Sequence, residues 1–141
     1  MNEQDVRKIV GSIIWWTEGT KSRKDKRWRN TWSYTIDVTN TNEEIIKLFL
    51  DFLRYDIGID ENRLKAQIQI HEGDSKEDLE KYWSNVTQIP IQRFTKTIIR
   101  PQGNKLGKTK GTCKVRYCDK SVYRKIEEVL NEVKNRAVVY R

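Results

Sequence analysis

A carboxylate and a glycine at the end of an apolar run are the residues of this chain best suited to chemistry. The run is Gly11–Thr17, and Glu18 and Gly19 follow it directly. Glycine commonly ends a helix with positive φ, so Glu18 is predicted in a last helical turn, where the macrodipole favours a bound cation. Magnesium is typically held by one or two carboxylates with water and phosphate oxygens. Glu18 and Gly19 are therefore candidate ligands of Mg²⁺ or another divalent cation.

A basic segment with an interleaved tryptophan, Trp28, comes immediately after this candidate metal site. Its cations are Lys21, Arg23, Lys24, Lys26, Arg27 and Arg29. A run of like charges is usually a solvated surface. The position of this run beside Glu18 favours contacts with the phosphates of a nucleic acid.

Two segments, Thr31–Thr39 and Arg63–His71, alternate polar and apolar residues with the period of a half-buried strand. Their polar side chains, which are candidate DNA-binding residues, are Ser33, Thr35, Asp37, Thr39, Lys65, Gln67, Gln69 and His71. Lysine can bond guanine and glutamine can bond adenine in the major groove. An exposed sheet face without a ligand would show the same alternation, so both interpretations remain open.

Two more strands are predicted, at Arg93–Arg100 and Gly111–Tyr117. Lys96 in the first and Arg116 in the second are further candidate DNA-binding residues, and Lys114 shares a strand face with Arg116. The connection at 101–110 is rich in glycine and lysine. It is interpreted either as a solvated loop or as a segment that follows phosphates.

The two cysteines, Cys113 and Cys118, lie five residues apart in a segment predicted to be extended. An odd separation places them on opposite faces of a strand, so a disulfide between them is not expected. With a single histidine, the chain also lacks the four soft ligands of a zinc site. These residues indicate a reducing, cytoplasmic setting.

The length and charge of the chain restrict its architecture and its partners. A chain of 141 residues suits one domain, 1–141, with a proper core. The formal net charge of +8 favours polyanionic partners, above all nucleic acid. A membrane is disfavoured, because no apolar run approaches a transmembrane length and the start of the sequence lacks a signal-peptide pattern.

Four helices are predicted between the strands, which makes the fold class α+β. They cover 3–18, a stretch beginning at Asn42 and ending at Gly58, Ser75–Val86, and a stretch from Asp119 or Ser121 to about 135. The first helix carries one apolar face, made of Val6, Ile9, Val10, Ile13, Ile14 and Thr17. That face is typical of an ordinary core helix.

The stretch Gly11–Gly19, followed by a polar β-rich segment, resembles the LAGLIDADG homing endonucleases, in which a helix ends in an acidic residue and a glycine. The resemblance covers about residues 5–130, in the order helix, hairpin, helix, further strands and closing helix. The helix Ser75–Val86 looks like an insertion. It is similar to a prokaryotic or archaeal branch whose motif also has Trp, a small residue, Glu and Gly.

The resemblance implies a single-motif, homodimeric member with the first helix at the dimer axis. Its curved antiparallel sheet would form a DNA-binding saddle backed by helices. The implied activity is site-specific cleavage of double-stranded DNA with Mg²⁺ and no small-molecule cofactor. The implied catalytic residues are Glu18 as metal ligand, Asn40 as the residue that places water, and Lys114 beside the scissile phosphate.

Two other functions remain open at this point. Scaffolds of this shape also occur in DNA-binding regulators that do not cleave, since binding requires only the basic sheet. The mixture of aromatic and basic residues at Trp28, Trp32 and Tyr34 also suits an RNA-binding protein that assists splicing. Trp32 and Tyr34, however, fall on the strand face assigned to the core, which disfavours stacking on RNA.

Overall fold

In the computed structural model, which describes residues 1–20, 34–101 and 109–139, four α-helices and a four-stranded sheet form an α+β fold. In chain order the elements are α1 Glu3–Glu18, β1 Thr35–Asn40, α2 Glu43–Asp51, β2 Lys65–His71, α3 Lys76–Thr87, β3 Ile98–Arg100, β4 Thr112–Cys118 and α4 Lys120–Ala137. A π-helical turn, Phe52–Ile57, continues α2 and ends at Gly58, whose φ is 80°. The helix predicted at 3–18 is confirmed.

Each α-helix begins at a residue whose side-chain oxygen accepts a backbone N–H of the first turn. These residues are Asn2, Asn42, Ser75 and Asp119. Of the two candidates for the start of the last helix, Asp119 is the cap. Local capping chemistry, visible in the sequence, therefore determines where the described helices start.

The sheet has the strand order β1-β4-β2-β3, with β4 antiparallel to both β1 and β2. The predicted all-antiparallel sheet is wrong, because β3 runs parallel to β2. The chain crosses between these two strands through α3, and a helical crossover is the connection that parallel neighbours require. The strand predicted at Arg93–Arg100 is also shorter than expected, since Pro90 leads into a 3₁₀ turn at Ile91–Arg93.

One face of the sheet packs against the helices and closes a single apolar cluster in the described ranges. Its strand residues include Ile36, Val38, Ala66, Ile68 and Val115. The largest buried side chains from the helices and the π-helical turn are Trp15, Phe49, Phe52, Trp83 and Tyr123. None of the described helices is both long and apolar enough to cross a bilayer.

The helix α1 turns a different side to the core than its apolar face predicts. Its buried residues are Gly11, Ser12 and Trp15, whereas Val6 and Ile9 remain 46% and 36% exposed. A Cβ on Gly11 would lie 2.1 Å from Cγ of Phe52, so this glycine permits a close approach of α1 to the π-helical turn. The interpretation of the apolar face as a core face is therefore wrong for Val6 and Ile9.

An ion pair fixes α1 one turn before Gly11. The Arg7 guanidinium donates to both carboxylate oxygens of Asp56, at 2.9 and 3.2 Å. The Asp56 side chain is fully buried, and that of Arg7 is 31% exposed. A bidentate pair of this kind specifies direction as well as distance, so it determines the rotation of α1 over the π-helical turn.

The substitution Gly11→Ala tests this contact through the sign of its effect. Helix propensity alone predicts a gain of up to about 1 kcal/mol for Gly→Ala. The clash with Phe52 predicts instead a loss of about 1–3 kcal/mol, as expected for overpacking. Urea unfolding measures the difference, with Gln4→Ala, an exposed change in the same helix, as the control within about 0.5 kcal/mol of wild type. A more stable Gly11→Ala protein would contradict the close packing.

Candidate nucleic-acid interface

The face of the sheet away from the helices is polar, and its side chains stand in rows. Directly paired residues of antiparallel strands project to the same face. Since β4 lies between β1 and β2, each row crosses three strands. The two central rows are Asp37–Arg116–Lys65 and Thr39–Lys114–Gln67. We refer to this surface, the side of the sheet that carries these two rows, as the polar face.

The polar face brings together the strand residues that the sequence singled out and that the structure describes. They are Thr35, Asp37, Thr39, Lys65, Gln67, Gln69, Lys114 and Arg116. Lys96 joins them, because its backbone carbonyl accepts a hydrogen bond of 2.8 Å from the side-chain amide of Gln67. His71 ends β2, half-buried and opposite Arg100 of β3.

Several predicted DNA-binding residues lie outside the described residues. They are Lys21, Arg23, Lys24, Lys26, Arg27, Arg29 and Ser33. The hairpin that the resemblance implies between the first two helices is described only from Tyr34 onward.

Asp37 departs from the alternating pattern. The pattern predicts an exposed side chain, yet Asp37 is buried, with 8% of its surface exposed. The chain that leaves α1 forms an antiparallel bridge between Gly19 and Val38, and an added Cβ on Gly19 would lie 3.1 Å from the Asp37 carbonyl oxygen. The chain that leaves α1 therefore runs past the Asp37 backbone at this edge of the sheet.

Gly19 is required for a reason other than the predicted one. Its φ is −88°, in the extended region, so the expected positive φ is wrong. A side chain there would place Cβ 2.5 Å from the Trp15 carbonyl oxygen and 2.7 Å from the Trp15 ring. Glycine therefore allows α1 to end directly against β1.

The end of α1 brings Glu18 next to the edge strand of the sheet. Gly19, the next residue, forms an antiparallel bridge with Val38 of β1. Lys114 lies on β4, the strand that pairs with β1. Glu18 is exposed and Lys114 is half-buried. The edge strand β1 therefore stands between the end of α1 and the strand that carries the predicted lysine.

Asn40 ends β1 and turns the chain into α2. Its side-chain oxygen accepts the backbone N–H of Asn42 at 2.8 Å. Asn42 in turn caps α2. The Asn40 oxygen thus uses one of its two acceptor positions in a turn.

The cations of the polar face are not neutralised by ion pairs in the described parts of the chain: Lys65, Lys114 and Arg116 take part in none of those found there. All three line a cavity of about 450 Å³, which Arg63 also lines and no described carboxylate lines. Like charges in close proximity are favoured only when a counter-charge binds. This part of the surface is therefore suited to an anion.

Arg63 is a functional candidate that the interpretation of the sequence did not single out. It sits two residues before Lys65, and the period-2 alternation that selected Lys65 could have identified it. Its Nη1 lies 3.0 Å from a carboxylate oxygen of Asp119, and its Cζ lies 5.1 Å from the centre of the Tyr117 ring. The partners come from β4 and the cap of α4, which sequence alternation alone does not bring to Arg63.

The cysteines occupy the environments expected from their spacing. Cys113 is buried in the core, Cys118 is exposed at the end of β4, and both are free thiols. Burial raises the pKa of the Cys113 thiol to about 12, so it stays protonated at neutral pH. In the described residues, no group of three or more His, Cys, Asp or Glu side chains is placed to hold a metal ion.

Comparisons with protein-family models, with curated proteins and with solved structures found no match for this chain. The functional interpretation therefore depends on the residues and their arrangement.

The charge of Asp119 should make a measurable, pH-dependent contribution to stability. Hydrogen bonds from Ser121, from the backbone of Val122 and from Arg63 hold the pKa of the Asp119 carboxyl well below its usual range. A depressed folded-state pKa stabilises the fold above the unfolded value, about 3.9, and this stabilisation is lost as the pH falls toward the folded value. Asp119→Asn keeps a good helix cap and removes the charge. We expect the variant to unfold at lower urea than wild type at pH 7.

The difference between wild type and Asp119→Asn should shrink as the pH is lowered below about 4. Asp119→Ala, which also loses the cap, should remain less stable by about 1 kcal/mol even at low pH. A gap between wild type and Asp119→Asn that does not change with pH would show that the carboxylate charge contributes nothing.

Proposed function

We propose that this chain is a homodimeric, site-specific DNA endonuclease that hydrolyses phosphodiester bonds with a divalent metal ion, with a LAGLIDADG-like fold. The observation that carries the proposal is the position of Glu18. It is the exposed last residue of α1, and the next residue, Gly19, bridges to β1, the strand that pairs with the Lys114 strand β4. An acid at this point and a cationic surface beside it are the parts that cleavage of a phosphodiester needs.

The exposed apolar side of α1 supports the homodimer. Val6, Ile9 and Trp16 are 46%, 36% and 46% exposed and recur at helical spacing with the partly buried Ile13. The Lys134 ammonium lies 4.8 Å from the centre of the Trp16 ring, and a row of exposed apolar side chains with such a polar border is typical of a protein interface. A second copy packed on this stripe would bring two α1 helices together and would place both Glu18 residues near one axis.

The polar face supports duplex DNA as the substrate. Its cations are distributed over two strands, with amide and hydroxyl side chains between them, a composition that suits phosphates and base edges in the major groove. RNA stacking has less support, because Tyr34 packs edge-on against Tyr123, with 5.6 Å between ring centres. The side chains of Lys120 and Arg124 also cover the Tyr34 ring.

The donor set fits a divalent cation when two copies and DNA are considered together. One chain contributes one exposed carboxylate at this point, Glu18, and Mg²⁺ is usually bound by one or two carboxylates plus water and phosphate oxygens. Glu18 and the backbone of Gly19 would hold the ion. When bound, such an ion polarises the phosphodiester and lowers the pKa of bound water.

The remaining chemistry belongs to side chains of the chain itself. The Lys114 ammonium, on the central strand, would stabilise the negative charge that develops on the phosphate. Asn40, which the resemblance assigns to the placing of water, is held by its oxygen to the Asn42 N–H. Thr39, Gln67 and Gln69 would contact base edges on either side of the cleavage position.

A non-cleaving DNA-binding regulator is the second candidate, and one observation favours it. Asn40, the residue that would place the attacking water, pairs with the buried Cys113 and so alternates with the core-facing side of the sheet, away from Lys114. DNA binding through the polar face does not depend on Asn40.

Glu18→Gln separates the two candidates. We expect the wild-type protein with Mg²⁺ to produce new ends at a recurring sequence in a randomised duplex library, as read by sequencing. Glu18→Gln should produce none and should still enrich the same duplexes, because the charge that holds the cation is removed and the polar face is untouched. Glu44→Gln, an exposed acid in the first turn of α2, is the matched control that should cleave like wild type. Enriched duplexes without new ends from wild type would favour the regulator, and cleavage by Glu18→Gln would reject the catalytic assignment.

Ile9→Glu tests the dimer. Burial of an unpaired carboxylate in an apolar interface costs several kcal/mol, so the dissociation constant of the dimer should rise by at least about 100-fold. Sedimentation equilibrium measures it. Leu48→Glu is the matched control, since Leu48 is an aliphatic residue on α2 with a similar exposure of 44%. Equal dissociation constants for the two variants would place the interface elsewhere.

A further inference from the structure

The cavity of about 450 Å³ on the polar face lies where β2 begins and β4 ends. Four of its lining residues are cationic: Arg63, Lys65, Lys114 and Arg116. Among the described residues, the carboxylates near these cations are Asp119, which pairs with Arg63, Asp60, whose charge also acts on Arg63, and the buried Asp37, which stands opposite Arg116 on β1. Three carboxylates against four cations leave an excess of positive charge.

Arg63 is held in place by parts of the fold that do not depend on a ligand. Its Nη1 donates to Asp119 at 3.0 Å, and its Nη2 donates to the Cys118 carbonyl oxygen. Its guanidinium lies over the Tyr117 ring, and the Tyr117 hydroxyl accepts the backbone N–H of Asp60 at 3.0 Å. The side chain is nevertheless 49% exposed. An arginine fixed in advance loses little rotamer entropy when an anion binds to it.

The residues that line the cavity are suited to a phosphate group and not to a stacked base. No aromatic residue is among its described lining side chains, and Arg63 covers the neighbouring Tyr117 ring, so no ring surface is offered for base stacking. Hydrogen-bond donors around the cations come from the uncharged polar side chains of the lining, Asn62, Gln67 and Thr95. This combination matches a tetrahedral anion with several acceptor oxygens.

We propose that this cavity is a phosphate-binding pocket that takes one phosphodiester group of the bound nucleic acid, with Arg63 and Lys65 as its direct ligands. The pocket rests on the proposed DNA binding and deepens it, because it assigns the start of β2 to the DNA backbone. Lys65 then fixes the register of the strand on the duplex, and Gln67 and Gln69, farther along β2, contact bases. Phosphate contacts of this kind position a protein and carry no sequence information.

The first experiment uses inorganic phosphate as the probe, with the full chain in a chloride buffer of equal ionic strength. Isothermal titration calorimetry should show phosphate binding to wild type. Arg63→Gln and Lys65→Gln should each weaken it by about tenfold or more, as expected for loss of a charged hydrogen bond. Lys81→Gln, which removes the same charge from a 61% exposed position on α3, should bind phosphate like wild type. Equal binding by all four proteins would overturn the pocket.

The second experiment measures duplex DNA binding over a salt series. Removal of a phosphate contact should weaken binding to every sequence alike and should lower the salt slope by about one. Gln67→Ala is the contrasting variant, since it should alter sequence preference and leave the slope unchanged. Urea unfolding verifies that each variant is folded, and Lys65→Gln, whose side chain is exposed, carries the test if Arg63→Gln is unstable.

The two arms separate the pocket from the proposed function. Phosphate binding that depends on Arg63 and Lys65, without any DNA binding by wild type, would support the anion-binding pocket and would reject DNA as the source of its phosphate. DNA binding with unchanged salt slopes in both variants would support the proposed DNA binding and overturn the pocket.

Discussion

The close contact between α1 and the π-helical turn at Phe52 is the constraint on which the rest of the surface depends. A glycine at position 11 lets the helix axis approach the Phe52 ring, and the Arg7–Asp56 pair fixes the helix one turn earlier. A buried ion pair adds little net stability compared with apolar residues. The Arg7–Asp56 pair instead determines how α1 is rotated about its own axis. The rotation it selects turns Trp15 inward and leaves Ile9 in solvent, and it delivers Gly19 to Val38 on the edge of the sheet.

The antiparallel register of β4 with its two neighbours determines which side chains stand on the polar face. Because β4 is paired on both sides, the alternation of its side chains determines which residues of β1 and β2 share a face with each β4 residue. Val115 and Cys113 contribute to the core, while Lys114 and Arg116 stand at the centre of the polar face. A shift of one residue would bury both cations. The hydrophobic core therefore fixes the pattern of positive charge as firmly as it fixes the fold.

Features that depend on neighbouring residues along the chain could be predicted from the sequence. Asn2 and Ser75 start helices by local hydrogen bonds, and the alternation at Lys65–His71 is a property of one strand. Features that depend on residues distant in the sequence could not be predicted in this way. Ile9 has the spacing of a core residue, yet Gly11 and Phe52 turn it outward, and only the fold brings those two residues together.

In the candidate site, too, features set by neighbouring residues could be predicted, and features set by distant residues could not. Lys114 and Gln67 were identifiable from strand alternation, and the structure places them in one row. Asp37 is buried although the alternation of its strand predicts exposure, and the fixed position of Arg63 depends on Asp119 and Tyr117, which lie more than fifty residues away in sequence. The parallel pairing of β3 with β2 depends on the α3 crossover. Sequence periodicity contains no information on such pairings.

The exposed apolar stripe and the cationic polar face are linked electrostatically in the proposed dimer. Association through α1 brings two Glu18 carboxylates together and doubles a net charge of +8 per chain, so both effects oppose assembly. A divalent cation compensates the first, and DNA phosphates compensate the second. A ligand that relieves repulsion only in the dimer raises dimer affinity, and by reciprocity the dimer binds that ligand more tightly by the same factor. In the proposed dimer, assembly, metal binding and DNA binding would therefore form one coupled equilibrium, in which a single subunit provides one carboxylate and half of the cationic surface.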